Sequence, residues 1–83
     1  MHMDESEILR SVQALVDQEH ELRARAQRGE LSVEEEQAAL KRAEEELDQC
    51  WDLLRQRRAR REFGQSPDDA TVRPVSEVEG YLQ

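Results

Sequence analysis

Glycine and proline interrupt helices, and this chain has none of either before residue 64 except a glycine a third of the way along. The full set is Gly29, Gly64, Pro67, Pro74 and Gly80. Residues 4–28 and 30–63 are therefore uninterrupted, and they are rich in Glu, Gln, Leu, Ala and Arg, which favour helix. This distribution predicts an all-α fold with two long helices and a C-terminal tail, residues 64–83.

Capping signals set the ends of the two helices. Asp4 is placed to cap the first helix, and Gly29 tolerates the positive φ that ends one. Ser32 and Glu35 form the S-x-x-E pattern of a capping box at the start of the second. The predicted segments are a helix at 4–28, a turn at 29–31 and a helix at 32–63. Because the turn is so short, the two helices must form an antiparallel hairpin.

Apolar side chains recur every three or four residues in both stretches, the spacing of a coiled-coil seam. In an antiparallel pair, facing residues keep a constant sum of their numbers, and a sum of 62 aligns both seams. The predicted layers are Ile8/Leu54, Val12/Cys50, Leu15/Leu47, Glu19/Ala43, Leu22/Leu40 and Ala26/Glu36. For Glu19 we favour a side chain that reaches the surface or pairs with Arg23 over a buried polar residue that fixes the register. The expected hairpin is thus coiled-coil-like.

A single hairpin has few large apolar side chains. Their burial contributes less free energy than the ordering of about 60 residues costs. Apolar residues beside the seams also stay in water in a lone hairpin. They are Leu9, Val16, Trp51 and Leu53. We therefore expect a homodimer, arranged as a four-helix bundle, with these residues at or near its interface.

The tail carries apolar residues at mostly three-residue spacing, which a solvated linker does not need. They are Val72, Val75, Val78, Tyr81 and Leu82. Ser76 and Glu79 repeat the S-x-x-E pattern and predict a short turn of helix before Gly80. We expect residues 64–83 to dock along the hairpin or its partner. The alternative is a disordered segment that folds on binding something else.

Five arginines near the end of the second helix are the sharpest local feature: Arg55, Arg57, Arg58, Arg60 and Arg61. We favour helix-terminal cations paired with nearby acids. The acids within reach are Asp4, Glu5, Glu7 and Asp52, with Glu5 opposite Arg57 in the predicted register. The alternative is contact with an anion or nucleic acid. Because no aromatic residue lies among the arginines and the net charge is -8, nucleic acid is not the expected partner.

Two further features bear on chemistry. Asp17 and His20 lie at i, i+3 on one helix face, similar to the carboxylate-x-x-His element of di-metal bundles. A solvated pair is the interpretation we favour over a metal-binding bundle.

Cys50 lies in the predicted seam, far from His20, and is interpreted as a buried structural thiol. Without a Ser/His/Asp arrangement, a Gly-rich phosphate loop or zinc spacing, we expect no catalytic residue, metal or cofactor.

The location we expect is the cytoplasm. No apolar run approaches the roughly 18 residues of a membrane span, so no membrane contact is expected. The start of the chain is polar and acidic, unlike a signal peptide. A single cysteine fits a reducing compartment. Met1 and His2, which precede Met3, are interpreted as a cloning remnant, and residues 1–3 are excluded from the fold.

Several stretches of the chain carry a family resemblance. They are Leu15-Val16-Asp17, Glu19-His20, Leu22-Arg23, the run from Leu47 to Arg61 around Cys50-Trp51, Arg73-Pro74, and Val78-Glu79-Gly80-Tyr81-Leu82. Together they resemble a small bacterial family called domain of unknown function 2630. The resemblance implies a compact stand-alone protein and brings no activity, substrate or site residue. We therefore expect a self-associating interaction or scaffold module without catalytic activity, whose further partner is an unknown protein.

Overall fold

The computed structural model describes residues 4–79, which form three helices and one 3₁₀ turn. In chain order these are α1 (Glu5–Gln27), α2 (Val33–Glu62), the 3₁₀ turn (Pro67–Asp69) and α3 (Val75–Glu79). α1 and α2 pack against each other as a hairpin, and residues 4–79 contain no strand. The predicted all-α fold is confirmed. The predictions for residues 1–3, Tyr81 and Leu82 lie outside the described residues.

Side-chain caps start both long helices, and each helix is one residue shorter at each end than predicted. Asp4 Oδ1 accepts a hydrogen bond from the Glu7 N–H at 2.8 Å. Ser32 Oγ accepts from the Glu35 N–H at 3.1 Å, and Glu35 Oε1 accepts from the Ser32 N–H at 3.1 Å. The predicted capping box is therefore formed. These bonds satisfy N–H groups that have no partner inside the helix.

Glycines in the left-handed region end both long helices. Gly29 has φ +78° and Gly64 has φ +71°. In each case the N–H of the following residue donates to a carbonyl five residues earlier, at 2.9 Å from Glu30 and 2.6 Å from Gln65. This is the Schellman arrangement. The first of these ends leads into the turn toward α2, and the second directs the tail back along α2.

The apolar core is small and differs from the predicted seam on one helix. Within residues 4–79 the buried apolar residues are Ile8, Val12, Leu15, Leu22, Ala43, Leu53 and Val78. The four from α1 all belong to its predicted seam, whose other two members, Glu19 and Ala26, are half-buried. On α2, however, Leu53 is 6% exposed, whereas its predicted seam neighbour Leu54 is only half-buried. Leu53 lies on the groove that Val72 of the tail also lines.

The tail packs against α2 through both the 3₁₀ turn and α3. Val78 is fully buried, so the described part of the tail lies against the hairpin. The predicted turn of helix is present, but it begins at Val75 rather than at Ser76. Its first hydrogen bonds go to the Pro74 carbonyl, from Glu77 N–H at 3.0 Å and Val78 N–H at 3.2 Å.

Candidate interaction surfaces

A buried carboxylate on α2 holds the tail in place. Asp52 is fully buried, and its Oδ2 accepts hydrogen bonds from Arg73 Nε at 2.9 Å and from Gln56 Nε2 at 2.9 Å. Arg73 Nη2 also donates to Asp52 Oδ1. The Arg73 guanidinium, helped by the bond from Gln56, holds the pKa of Asp52 below its usual value although burial opposes the shift. The ionised form of Asp52 is therefore the one that binds the tail.

Two glutamines extend this attachment along α2. The Gln56 amide donates to the Thr71 carbonyl at 2.6 Å and accepts from the Thr71 N–H at 3.2 Å. Gln49 Nε2 donates to the Arg73 carbonyl at 3.2 Å. These bonds satisfy backbone groups of a segment that has no regular secondary structure of its own. The tail clamp, as we name it, comprises Gln49, Asp52, Gln56 and Arg57 of α2.

Arg57 belongs to the tail clamp and not to an exposed basic cluster. It is 9% exposed, and its Nη1 lies 3.3 Å from both Asp68 Oδ1 and the Pro67 carbonyl. The prediction that it faces Glu5 is wrong, because its guanidinium binds a carboxylate and a carbonyl of the docked tail. Glu5 instead lies 3.8 Å from Arg61, one helical turn further along α2.

The other arginines of the run are spread around α2. Arg55, Arg58 and Arg61 are exposed, and the half-buried Arg60 donates to Gln65 Oε1 at 3.4 Å. Asp52, which we expected to pair with this run, forms its ion pair with Arg73, and the charge of Arg55 also helps to lower its pKa. Contact of the arginine run with an anion or nucleic acid remains the alternative that we did not favour.

Opposite the tail, the hairpin leaves an apolar face in water. Trp51 is 44% exposed, Leu9 is 47% exposed and Val16 is half-buried. Trp51 lies about 100–160° around α2 from the residues of the tail clamp, since successive residues turn by about 100°. We name Leu9, Val16 and Trp51 the open face. Leu53, the fourth residue predicted for an interface, lies in the core of the chain itself, so the reason for placing it there no longer holds.

The polar residues singled out on α1 are paired locally. Glu19 Oε2 lies 3.3 Å from Arg23 Nη2, which is the pairing we favoured from the sequence. Asp17 Oδ1 accepts from Gln13 Nε2 at 2.9 Å, and both Asp17 and His20 are exposed. Within residues 4–79 no three His, Cys, Asp or Glu side chains are grouped so that they could hold a metal ion.

Cys50 lines an open groove of about 370 Å³ between the two long helices and the tail. Ile8, Leu53 and Val72 are among the other lining residues. The thiol is half-buried rather than buried as predicted. Burial raises the pKa of the Cys50 thiol, and the negative charge of Glu46 raises it further. The thiol is therefore a poor nucleophile near neutral pH.

In the part of the chain that the structure describes, no helix combines the length and the apolar character needed to cross a bilayer.

Comparison with known proteins places the chain in a family. The model of the family described as "Protein of unknown function (DUF2630)" matches residues 4–83, a range that contains both long helices and the whole tail clamp. The chain belongs to the DUF2630 family. The resemblance noted in the sequence is thereby confirmed.

This DUF2630 chain is similar to uncharacterised mycobacterial proteins. The "Uncharacterized protein Rv0898c" of Mycobacterium tuberculosis (strain ATCC 25618 / H37Rv) is 54% identical over 77 residues, which cover 93% of this chain and 88% of the relative. The "Uncharacterized protein Mb0922c" of Mycobacterium bovis (strain ATCC BAA-935 / AF2122/97) matches with the same identity and coverage. No solved structure matches the DUF2630 chain.

The pairing of Asp52 with Arg73 is the structural feature that sequence reasoning missed. Two signals pointed to it. Asp52 interrupts the apolar run Trp51–Leu54, and Arg73 is the sole basic residue among residues 64–83. A charge in an apolar run needs a partner once it is buried, and in the tail only Arg73 supplies one.

Proposed function

We propose that this DUF2630 protein is a non-catalytic interaction module that self-associates through its open face. The observation that carries the proposal is the exposure of Trp51, which keeps 44% of its surface in water although the tail covers another side of the same helix. Large aromatic side chains are typical anchors of protein interfaces. Leu9, 47% exposed on the neighbouring helix, widens the apolar surface around it.

The small core supports the same proposal. Of the buried apolar residues in the described part of the chain, Ile8 and Val78 are the large side chains that reach full burial. Small domains bury a smaller share of their surface than large ones and gain stability from association. A second copy over the open face turns exposed apolar surface into core.

The placement of the serine, cysteine and histidine side chains supports the non-catalytic part of the proposal. Among residues 4–79 no hydrogen bond joins a serine or cysteine to a histidine. His20 is exposed on α1, and the pKa of the Cys50 thiol is raised, which disfavours the reactive thiolate. A surface function needs none of these groups.

The mass of the protein in solution tests the proposal. We expect light scattering at high micromolar concentration to give twice the 9.7 kDa of one chain. Trp51→Ser and Leu9→Ser should shift the mass toward one chain, because each removes apolar surface from the open face. Phe63→Ser is the matched control, since Phe63 is 80% exposed at the end of α2 and lies outside the open face.

Circular dichroism should show unchanged helix content in all three variants, because none of the replaced side chains belongs to the buried core. A wild-type mass of one chain at high micromolar concentration contradicts the proposal. So does a mass of two chains that neither Trp51→Ser nor Leu9→Ser reduces.

A further inference from the structure

Three residues of α2 form one line along the open face. Glu44, Trp51 and Arg58 are spaced by seven residues, and seven residues make nearly two full helical turns. Trp51 is the midpoint, with the acid about 10 Å toward one end of the helix and the base about 10 Å toward the other. When a second α2 lies antiparallel to the first and the two helices cross at Trp51, Glu44 of each helix faces Arg58 of the other.

The two charges at the ends of this line are available for a partner. Glu44 and Arg58 are exposed, and neither forms an ion pair with another residue of the 4–79 range. Arg61, the next exposed arginine along α2, is already within 3.8 Å of Glu5. The tail clamp lies on another side of α2 and leaves both charges uncovered.

The residues next to Trp51 repeat the same reversed pattern. Asp48 lies three residues before Trp51 and Arg55 lies four after it, both on the flank away from α1. Leu47 and Leu54 lie four before and three after it, on the flank toward α1, and both are half-buried. Reversal about Trp51 brings acid to base on one flank and leucine to leucine on the other.

We propose that two copies pair through antiparallel α2 helices that cross at Trp51, with Arg58 of each copy against Glu44 of the other. Arg55 of each copy then lies near Asp48 of the other. The inference rests on the proposed self-association and specifies its geometry, a two-fold interface in which each contact occurs twice. A parallel pairing would instead bring like charges together at both ends, which opposes association.

Charge reversal tests this geometry. Arg58→Glu and Glu44→Arg each turn two attractive contacts into two repulsive ones, so each should raise the dissociation constant about tenfold at low salt. The combined variant restores both attractions and should bind within about threefold of the wild type. Arg42→Glu is the control, because Arg42 is exposed and lies about 180° around α2 from Trp51. Trp51 is the single tryptophan, so its emission on dilution measures the constant.

Salt gives a second, independent measurement. Screening should weaken the wild-type dimer but strengthen the Arg58→Glu and Glu44→Arg dimers, because in these it reduces a repulsion. Unchanged dissociation constants in both single variants overturn the antiparallel geometry while self-association stands. Weakening that the combined variant fails to reverse overturns it as well. A monomeric wild type, in contrast, overturns the proposed function itself.

Discussion

Asp52 shows how one side chain fixes the course of the described tail, residues 64–79. A carboxylate that is fully buried without a cation beside it costs several kcal/mol. Arg73 supplies the cation, and Gln56 a further donor, so the segment between Gly64 and α3 is held on α2. A residue that is unfavourable in isolation thereby selects a single position for the tail.

Replacement of Asp52 should therefore be costly. We expect Asp52→Asn to lower the free energy of unfolding by about 3 kcal/mol, which is the low end of the range for breaking a buried ion pair. The loss is at the low end because Arg73 is 30% exposed and regains some hydration when its partner is neutral. Urea unfolding followed by circular dichroism measures the loss. Asp17→Asn is the control, because Asp17 is an exposed aspartate that accepts one bond from Gln13. Equal losses in the two variants would contradict the assigned role.

Acid should remove the same contribution. Since the pKa of Asp52 is lowered in the folded protein, its stabilisation is fully present above the unfolded value of about 3.9 and is lost as the pH falls through the lower folded value. The difference in unfolding free energy between wild type and Asp52→Asn should thus be constant near neutral pH and shrink below about pH 4. A difference that stays constant down to about pH 2 would show that ionisation of Asp52 does not hold the tail.

At the scale of the elements, α1 and α2 are bounded by local chemistry at all four ends. The starts are satisfied by Asp4 and by the reciprocal bonds of Ser32 and Glu35, and the ends by glycines with positive φ. Most helical stability in proteins nevertheless comes from packing. The caps therefore define where each helix begins and ends, and the contact between α1 and α2 keeps it folded.

The capping box at α2 allows a direct test. Ser32→Ala removes the acceptor for the Glu35 N–H and should lower the free energy of unfolding by about 1 kcal/mol. Thermal or urea unfolding measures the change. Ser6→Ala is a matched control inside the first turn of α1, where no side-chain cap is lost, and we expect a change within about 0.5 kcal/mol. A Ser32→Ala variant as stable as the control would contradict the role of the box.

At the scale of the whole molecule, the hairpin has two unlike sides. The tail covers one through the clamp on α2, and the other keeps Leu9 and Trp51 in water. The molecule is elongated, with extents of 51, 26 and 19 Å, so a large part of its surface lies along the two long helices. This asymmetry is the physical basis of the proposed self-association.

Self-association should link stability to protein concentration. When folding and dimerisation are coupled, each tenfold rise in concentration favours the dimer by up to about 1.4 kcal/mol, so the melting temperature should rise with concentration. Trp51→Ser should remove this dependence, whereas Phe63→Ser should keep it. Calorimetry over two decades of concentration measures the effect. A wild-type melting temperature independent of concentration would contradict the proposed dimer.

The sequence by itself determined the helices, their ends and the hairpin, because glycine and proline placement, caps and apolar period act over a few residues. Which side of α2 the tail covers was decided only by the tertiary structure. The pairing of Asp52 with Arg73 joins positions 21 residues apart, and its energy depends on burial that exists only once the tail has docked. With the tail docked, Leu53 lies in the core, Arg57 binds the tail and Trp51 stays exposed.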